Sequence, residues 1–468
     1  MRPDPLRRRL LLLAAASGLS LSSLGRRALA QASPPASAAD PVNGAGKGLK
    51  VVVVGAGMAG LSAAARLAES GAEVVVLEDQ DRIGGRIFTD RSLGVPVEHG
   101  ANFIHGYHGN PVADLAAKAR ATPFFIDQES WQLLEQGGVE PEEFEIDDVF
   151  DDLETLADSA AEEADGDPSV SLLEVVEMLD PALLQEPIGN WALTDTYEGE
   201  YGAPLVALSA LHLDAGEAFD GPDVVLREGY DLLVKFLGQG LDIRLGQPVR
   251  RIHHRHDGVT VETEAGTVEA DHCIVTVPLG VLKAEGITFE PALPHSHRKA
   301  IAAIGFGQLA KVSVAFDKPF WPEDMHFLGY AGRERGRFAD MLNLMAIHDA
   351  PVLTLVASGD YAPRVDAMDD AALIADITAV LRDMFGSDVP APKGMSRHAW
   401  SRDPFARGAY SFPAVGSSPA DHATLAAPVG PRLRLAGEHV SGDYAGTVHG
   451  ALLSGERVAD LVLAAGKG

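Results

Sequence analysis

Residues 51–81 constrain the fold of this chain more than any other stretch. Val51-Val52-Val53-Val54 is a short apolar run, Gly55-Ala56-Gly57-Met58-Ala59-Gly60 follows it, and Ala63-Ala64-Ala65-Arg66-Leu67 has helical composition. Val74-Val75-Val76-Leu77-Glu78 is a second apolar run closed by an acid. Strand, glycine turn, helix and strand in this order form the unit that binds a dinucleotide. Gly55 allows a tight turn, Gly57 lets the backbone approach a pyrophosphate, and Gly60 lets helix and strand pack closely. The helix start at Met58 and Ala59 offers free amides and the positive end of its dipole to the phosphates. Glu78 is placed to accept hydrogen bonds from an adenosine ribose. The glycine triplet alone is a weak signal; the two strands, the helix and the terminal acid together predict dinucleotide binding.

The rest of the chain sets the class. Its 468 residues suffice for two or three domains, and 46% hydrophobic residues with 49 glycines suit an α/β protein with many tight turns. With 38 basic and 67 acidic residues the net charge is −29. Such a surface repels nucleic acid and anionic membranes and favours a cationic partner, although solubility alone also accounts for it. Arg7-Arg8-Arg9, an apolar stretch over 10–24 and Ala28-Leu29-Ala30 before Gln31 have the layout of an export signal over residues 1–30. The arginines point to the twin-arginine route and thus to a periplasmic or secreted protein. The apolar stretch is too short for a confident membrane span, so no stable membrane anchor is expected. Residues 31–48, rich in Ala, Ser, Pro and Gly, read as a flexible spacer. The single cysteine, Cys273, lies in an apolar run and reads as an inert core residue; no disulfide and no metal site is expected.

Residues 127–167 hold no Lys or Arg and many acids, with Val149, Leu153 and Leu156 at amphipathic-helix spacing. This predicts a solvated helical face in an inserted domain, with a substrate-attracting rim as the alternative. Residues 243–277 alternate in a strand pattern broken at Asp257-Gly258 and Ala265-Gly266, and predict a strand and hairpin returning to the nucleotide sheet. In 306–319, Val312, Val314 and Phe316 should face one way and Lys311, Ser313 and Ala315 the other. Residues 369–385 and 447–463 have helical spacing. The order implies a nucleotide domain in three segments, 49–105, 225–285 and 425–468, with a substrate domain inserted as 106–224 and 286–424.

Arg82-Ile83-Gly84-Gly85-Arg86 follows the ribose acid directly. Two glycines let a loop lie against a cofactor and two arginines answer its phosphate charge, which favours FAD over NAD. With Gly100-Ala101-Asn102-Phe103-Ile104-His105-Gly106, Ala310-Lys311-Val312, residues 400–411, Ala436-Gly437-Glu438 and Tyr444-Ala445-Gly446-Thr447-Val448-His449-Gly450-Ala451, the mature chain resembles the flavin amine oxidase superfamily. That superfamily comprises monoamine oxidases, polyamine oxidases and histone lysine demethylases. The resemblance implies a Rossmann-like, discontinuous FAD-binding domain with an inserted α+β substrate domain.

It also implies roles. Glu78 would hold the ribose, Arg86 and Gly85 the diphosphate region, and Val249 the adenine edge. Gly100, Ala101 and Asn102 would lie along the cofactor and Trp400 at its flavin end, while Gly437, Glu438, Thr447 and Val448 would bracket ribityl chain and flavin. Lys311 would stand near flavin N5, where a positive charge aids reoxidation by O2; read alone, it could equally be a solvent-facing charge. Tyr410 and Tyr444 would form an aromatic pair before the flavin, suited to an amine, or else belong to the core. Ala409 stands where monoamine oxidases carry the cysteine that bonds the flavin, so FAD is expected to be noncovalent.

The run from Phe103 through His108-Gly109-Asn110-Pro111 most resembles the spermine and acetylpolyamine branch. His105 would orient a distal amine or tune its protonation, or else cap a loop. Amino-acid oxidases of the superfamily pair the substrate carboxylate with an arginine, and Asn102 and Phe103 replace it here. The resulting expectation is FAD-dependent oxidation of polyamines: hydride transfer to N5, imine hydrolysis to an aldehyde, and reoxidation by O2 to hydrogen peroxide. The alternatives are a monoamine or L-amino-acid oxidase of the same fold, or a flavoprotein binding module without oxidase activity.

Overall fold

The computed structural model describes residues 44–213 and 215–466. The expected export signal and most of the spacer lie outside the described residues. At the end of the expected spacer, residues 44–48 form a turn in which Gly46 N donates to Ser70 O at 2.9 Å. A Cβ on Gly46 would lie 2.7 Å from Ala72 N, so the turn is docked against the end of the first helix.

Five parallel strands form the nucleotide sheet, in the order Leu433–Leu435, His272–Val275, Lys50–Val54, Glu73–Leu77, Asp242–Arg244. Val52 and Val53 are fully buried, because helices or strands cover both faces of such a sheet and its strands read as continuous apolar runs. From Lys50–Val54 the chain crosses first to Glu73–Leu77 on one side and later to His272–Val275 on the other. A crevice at the carboxyl ends of the strands opens at such a reversal. Cys273 is buried in this sheet and burial pushes its thiol pKa up, which leaves it inert.

The expected hairpin does not join this sheet. Val249–His254, Val259–Thr263 and Gly266–Ala270 form a separate sheet with Thr288–Glu290, and only the flanking strands Asp242–Arg244 and His272–Val275 enter the parallel one. Val259 and Val261 are buried while Thr260 between them is half-exposed. One dry face suits a layer of its own rather than a sheet covered on both sides.

The other large sheet has six strands, in the order Gly394–Arg397, Ala310–Ala315, Val352–Ala357, Asp340–Asn343, Phe327–Ala331, Trp131–Glu135. In Ala310–Ala315 the alternation is present, yet neither face is wet. Ser313 is buried and its hydroxyl pairs with Thr354 Oγ1 at 2.8 Å.

The acidic segment contains the helix Glu143–Glu163, which buries Phe150, Leu153, Leu156 and Ala160 and turns its carboxylates outward; Val149 is half-buried. The buried face meets the helix Pro187–Leu193, where Trp191 stacks on Trp131 (5.7 Å between ring centres, 18° between planes). That helix continues into a π-helical turn, Thr194–Gly199, which leads Glu200 to the central cavity. Asp370–Phe385, capped by Asp369, and Val448–Ala465, capped by Thr447, are the two helices expected from spacing. Val448–Ala465 packs on the glycine-loop helix Met58–Glu69 so closely that a Cβ on Gly455 would lie 2.2 Å from Ala59 O. Among the described residues, no helix is long and apolar enough to cross a membrane.

Candidate active site

One cavity of about 1400 Å³ runs from the glycine loop to Tyr444. Pockets for drug-sized ligands measure roughly 300–1,000 Å³, so this larger space has room for a dinucleotide and a substrate together. Gly55, Gly57, Met58, Ala59 and Glu78 line one end. Gly55 has φ +106°, and a Cβ there would lie 2.6 Å from Thr276 Oγ1. A Cβ on Gly57 would meet only Gly84 O at 3.9 Å and otherwise project into the open cradle. The helix ladder begins with Leu61 N donating to Gly57 O at 2.9 Å. The amides of Met58, Ala59 and Gly60 therefore precede that ladder and are unpaired within the helix. These features fit a pyrophosphate.

Gly60 departs from the expected list, because it does not line the cavity. A Cβ there would lie 2.0 Å from Gly55 O, so Gly60 acts by letting the helix close on the loop. Glu78 is buried, with Oε2 accepting from Ala56 N at 2.6 Å and Oε1 from Gln80 N at 3.0 Å. It fixes the glycine loop and also lines the cavity. Burial raises its pKa.

The arginine pair divides. Arg82 turns away from the cavity: its guanidinium lies 4.1 Å above the Phe88 ring and donates to Ile87 O at 3.3 Å, and burial lowers its pKa. Arg86 faces the cavity with Gly85, and its Nη1 donates to Ala409 O and to Glu438 Oε1, both at 2.8 Å. Glu438 Oε2 accepts from Ser411 Oγ and, at 2.9 Å, from Gly446 N. Burial raises the Glu438 pKa, but Arg86, His439 and Ser411 outweigh it and hold the group at about 2. This carboxylate is engaged by the protein itself, which leaves the Glu438 backbone as the part available to a cofactor. It clamps together the Arg86 loop, the Ser411 strand and the Gly446 loop. Gly437 (φ +144°), Thr447 and Val448 line the same wall, and the Thr447 hydroxyl accepts from Gly450 N at 2.9 Å. Gly100, Ala101, Asn102, Val249 and Trp400 line it too, with Trp400 Nε1 donating to His99 O at 2.8 Å.

At the far end lie Lys311, Tyr410, Tyr444 and His105. Lys311 is not a solvent-facing charge: Nζ donates to Asn102 Oδ1 at 2.7 Å and burial lowers its pKa, opposed by Glu98. Tyr410 Oη donates to Gly199 O at 2.8 Å. Tyr444 stacks on Phe219 (5.1 Å, 10°) and its hydroxyl meets Glu217 Oε2 at 3.3 Å. The ring stacked on Tyr444 is therefore Phe219. His105 Nδ1 pairs with Asp223 Oδ2 at 3.0 Å. Burial lowers the His105 pKa, but Asp223 and then Glu200 overcome it and raise it to about 9. The ring is thus an imidazolium at neutral pH, with both nitrogens as donors. It cannot accept a hydrogen bond from a distal amine in the way expected.

The acceptors at this end are carboxylates absent from the sequence reading: Asp195, Glu200, Glu217, Asp220 and Asp223 all line the cavity. Glu200 and His105 are exposed and line this cavity. No acid of the helix Glu143–Glu163 lines it, which leaves that helix as a solvated face. Glu217, Phe219 and Asp223 lie in a polar loop with no periodic pattern; the acids around Tyr197 were the one local hint. Among the described residues, no cluster of His, Cys, Asp or Glu could hold a metal ion.

Residues 58–199 and 190–463 match the family model described as flavin containing amine oxidoreductase. A relative named polyamine oxidase 4, from Oryza sativa subsp. japonica, is 35% identical over 88% of this chain and 88% of its own length. Polyamine oxidase 2 of Arabidopsis thaliana is 33% identical over 88% and 87%. Lysine-specific histone demethylase 1 homolog 2 of Oryza sativa subsp. japonica is 34% identical, but this chain spans only 57% of its length. In fold, the chain is similar to a wild-type putrescine oxidase solved bound to putrescine: TM-score 0.76, 22% identity, 89% of this chain and 99% of that one.

Proposed function

The chain belongs to the flavin-containing amine oxidoreductases, and on that premise we propose that it oxidises polyamines with noncovalently bound FAD and dioxygen as electron acceptor. The observation that carries the reading is the end of the cavity, where Tyr410, Tyr444 and Phe219 stand beside Asp195 and Glu200. Aromatic faces and carboxylates together suit an alkyl chain bearing several ammonium groups.

A bound flavin supplies the two-electron chemistry, accepting a hydride from the carbon beside the amine nitrogen and returning electrons to dioxygen. The chain's residues do the rest. Gly57, Gly85, Arg86 and the amides at Met58 and Ala59 would hold the pyrophosphate. The reacting nitrogen must be neutral, because its lone pair assists hydride departure, while distal nitrogens remain charged against Glu200 and Asp195. Tyr410 and Tyr444, each tied by its hydroxyl, confine the chain between rings. Lys311, directed by Asn102, holds a positive charge where reduced oxygen develops negative charge. Water then cleaves the released imine to an aldehyde and a shorter amine.

An amine panel with peroxide detection tests substrate class: spermine or spermidine should exceed benzylamine and tyramine in kcat/KM, and a preference for monoamines would overturn it. Acid precipitation of purified protein should release intact FAD, since Ala409 offers no thiol; flavin retained in the pellet would contradict noncovalent binding. We further propose export by the twin-arginine route. Changing Arg7, Arg8 and Arg9 to Lys should then trap the protein in the cytoplasm, whereas normal export would remove that route.

A further inference from the structure

Beside Lys311 lies a second, small space of about 30 Å³. Lys311, Asn102, Leu342 and Thr354 line both it and the main cavity, and so form the wall between them. A water needs at least roughly 10–15 Å³ by this measure and two to four polar partners, so the space has room and lining for one or two. Its polar lining includes Glu98, which the chemistry above does not use.

Glu98 ends the strand Val97–Glu98 and is held firmly: Thr89 Oγ1 donates to its two oxygens at 2.8 and 3.0 Å, and Tyr230 N donates at 2.7 Å. Oε1 thus accepts from both Thr89 and Tyr230, while Oε2 accepts from Thr89 alone and keeps a lone pair to offer. Lys311 has three N–H donors, one of them spent on Asn102. An ammonium buried in such a wall is costly unless an opposite charge accompanies it. Burial and the positive groups around them lower the pKa of His99, beside Glu98, to about 4 and lower that of His348 across the space, which leaves both neutral. His105 adds a positive charge from the cavity side, and Asp231 lies behind Glu98. Burial raises the pKa of Glu98, opposed by the hydrogen bonds from Tyr230 N and Thr89 and by Lys311, and Glu98 in turn is the carboxylate that raises the pKa of Lys311.

We propose that Glu98 is a positioning residue for Lys311: through one water in this space, which accepts from the ammonium and donates to the carboxylate, it keeps Lys311 charged and directed at the cofactor cavity. The consequence for oxygen rests on the reading of Lys311 given above; the charge relation itself does not.

The test is an NMR titration of lysine ε-13C signals in the flavin-loaded protein, with Lys311 assigned by its loss in Lys311→Met. Glu98→Gln should lower the Lys311 midpoint by about 1 pH unit or more, as expected for loss of a nearby opposite charge. Glu98→Asp should fall between Glu98→Gln and the wild type. An unchanged midpoint in Glu98→Gln overturns the proposal. Should that variant fail to fold, an unchanged midpoint in Glu98→Asp overturns it equally. The rate of flavin reoxidation by dioxygen should follow the same shifted pH profile. A midpoint that falls while this profile stays put would uphold the Glu98–Lys311 pairing and sink the oxygen role of Lys311.

Discussion

His105 has a different job from the one its loop suggests. An imidazole beside a binding cavity is usually a switch near neutral pH, but the Asp223 carboxylate at 3.0 Å and Glu200 beyond it move its titration up to about 9. A folded-state pKa raised above 6.5 means that the pair's contribution to stability is complete below pH 6.5 and disappears as pH rises through about 9. The melting-temperature gap between wild type and His105→Ala should therefore be widest below pH 6.5 and narrow steadily toward pH 9. A gap independent of pH over that window would mean the ring is neutral when folded. The charged ring also leaves Glu200 and Asp195 as the groups that meet a distal ammonium, so His105→Ala should alter polyamine KM less than Glu200→Gln does.

At the scale of elements, the glycine loop shows three glycines doing separable work. A methyl on Gly60 would sit 2.0 Å from Gly55 O and 2.8 Å from Thr276 Oγ1, while a methyl on Gly57 would meet only Gly84 O at 3.9 Å. Gly60→Ala forces the helix Met58–Glu69 off the sheet, an overpacking that costs about 1–3 kcal/mol or more. Gly57→Ala meets no protein atom closer than 3.9 Å and would instead intrude on the space proposed for a phosphate. In flavin-free protein Gly60→Ala should melt clearly below wild type and Gly57→Ala close to it, while both should lose flavin affinity. Equal melting losses would show that the two glycines are not separable. The same helix owes its position to Val448–Ala465, which meets it through Gly455 and the Arg66–Asp460 ion pair.

At the scale of the molecule, the net charge of −29 acquires a direction, since Asp195, Glu200, Glu217, Asp220 and Asp223 gather at one end of one cavity. Long-range attraction of a polycation is screened within about 10 Å at 0.1 M salt. The kcat/KM advantage of spermine over benzylamine should then shrink as salt rises from about 0.01 M to about 1 M, and an advantage constant across that range would place selectivity in contact alone. Beyond the hint around Tyr197 these acids were illegible in the sequence, because Asp195 and Glu200 come from the π-helical turn at Thr194–Gly199 and the residue after it, and the others from a loop near residue 220. Each site is polar and aperiodic, and only the fold brings them together. The nucleotide strands, the glycine turn and the helices at Met58–Glu69, Asp370–Phe385 and Val448–Ala465 were legible, because period and turn chemistry are local properties. So were Gly57, Arg86 and Lys311 as residues of the cavity, each within a short motif. What only the tertiary structure decided is which partner each charge receives: Arg86 for Glu438, Asp223 for His105, Phe88 for Arg82. Those pairs join residues up to 352 positions apart, and an electrostatic interaction depends on distance through space, to which separation along the chain is no guide.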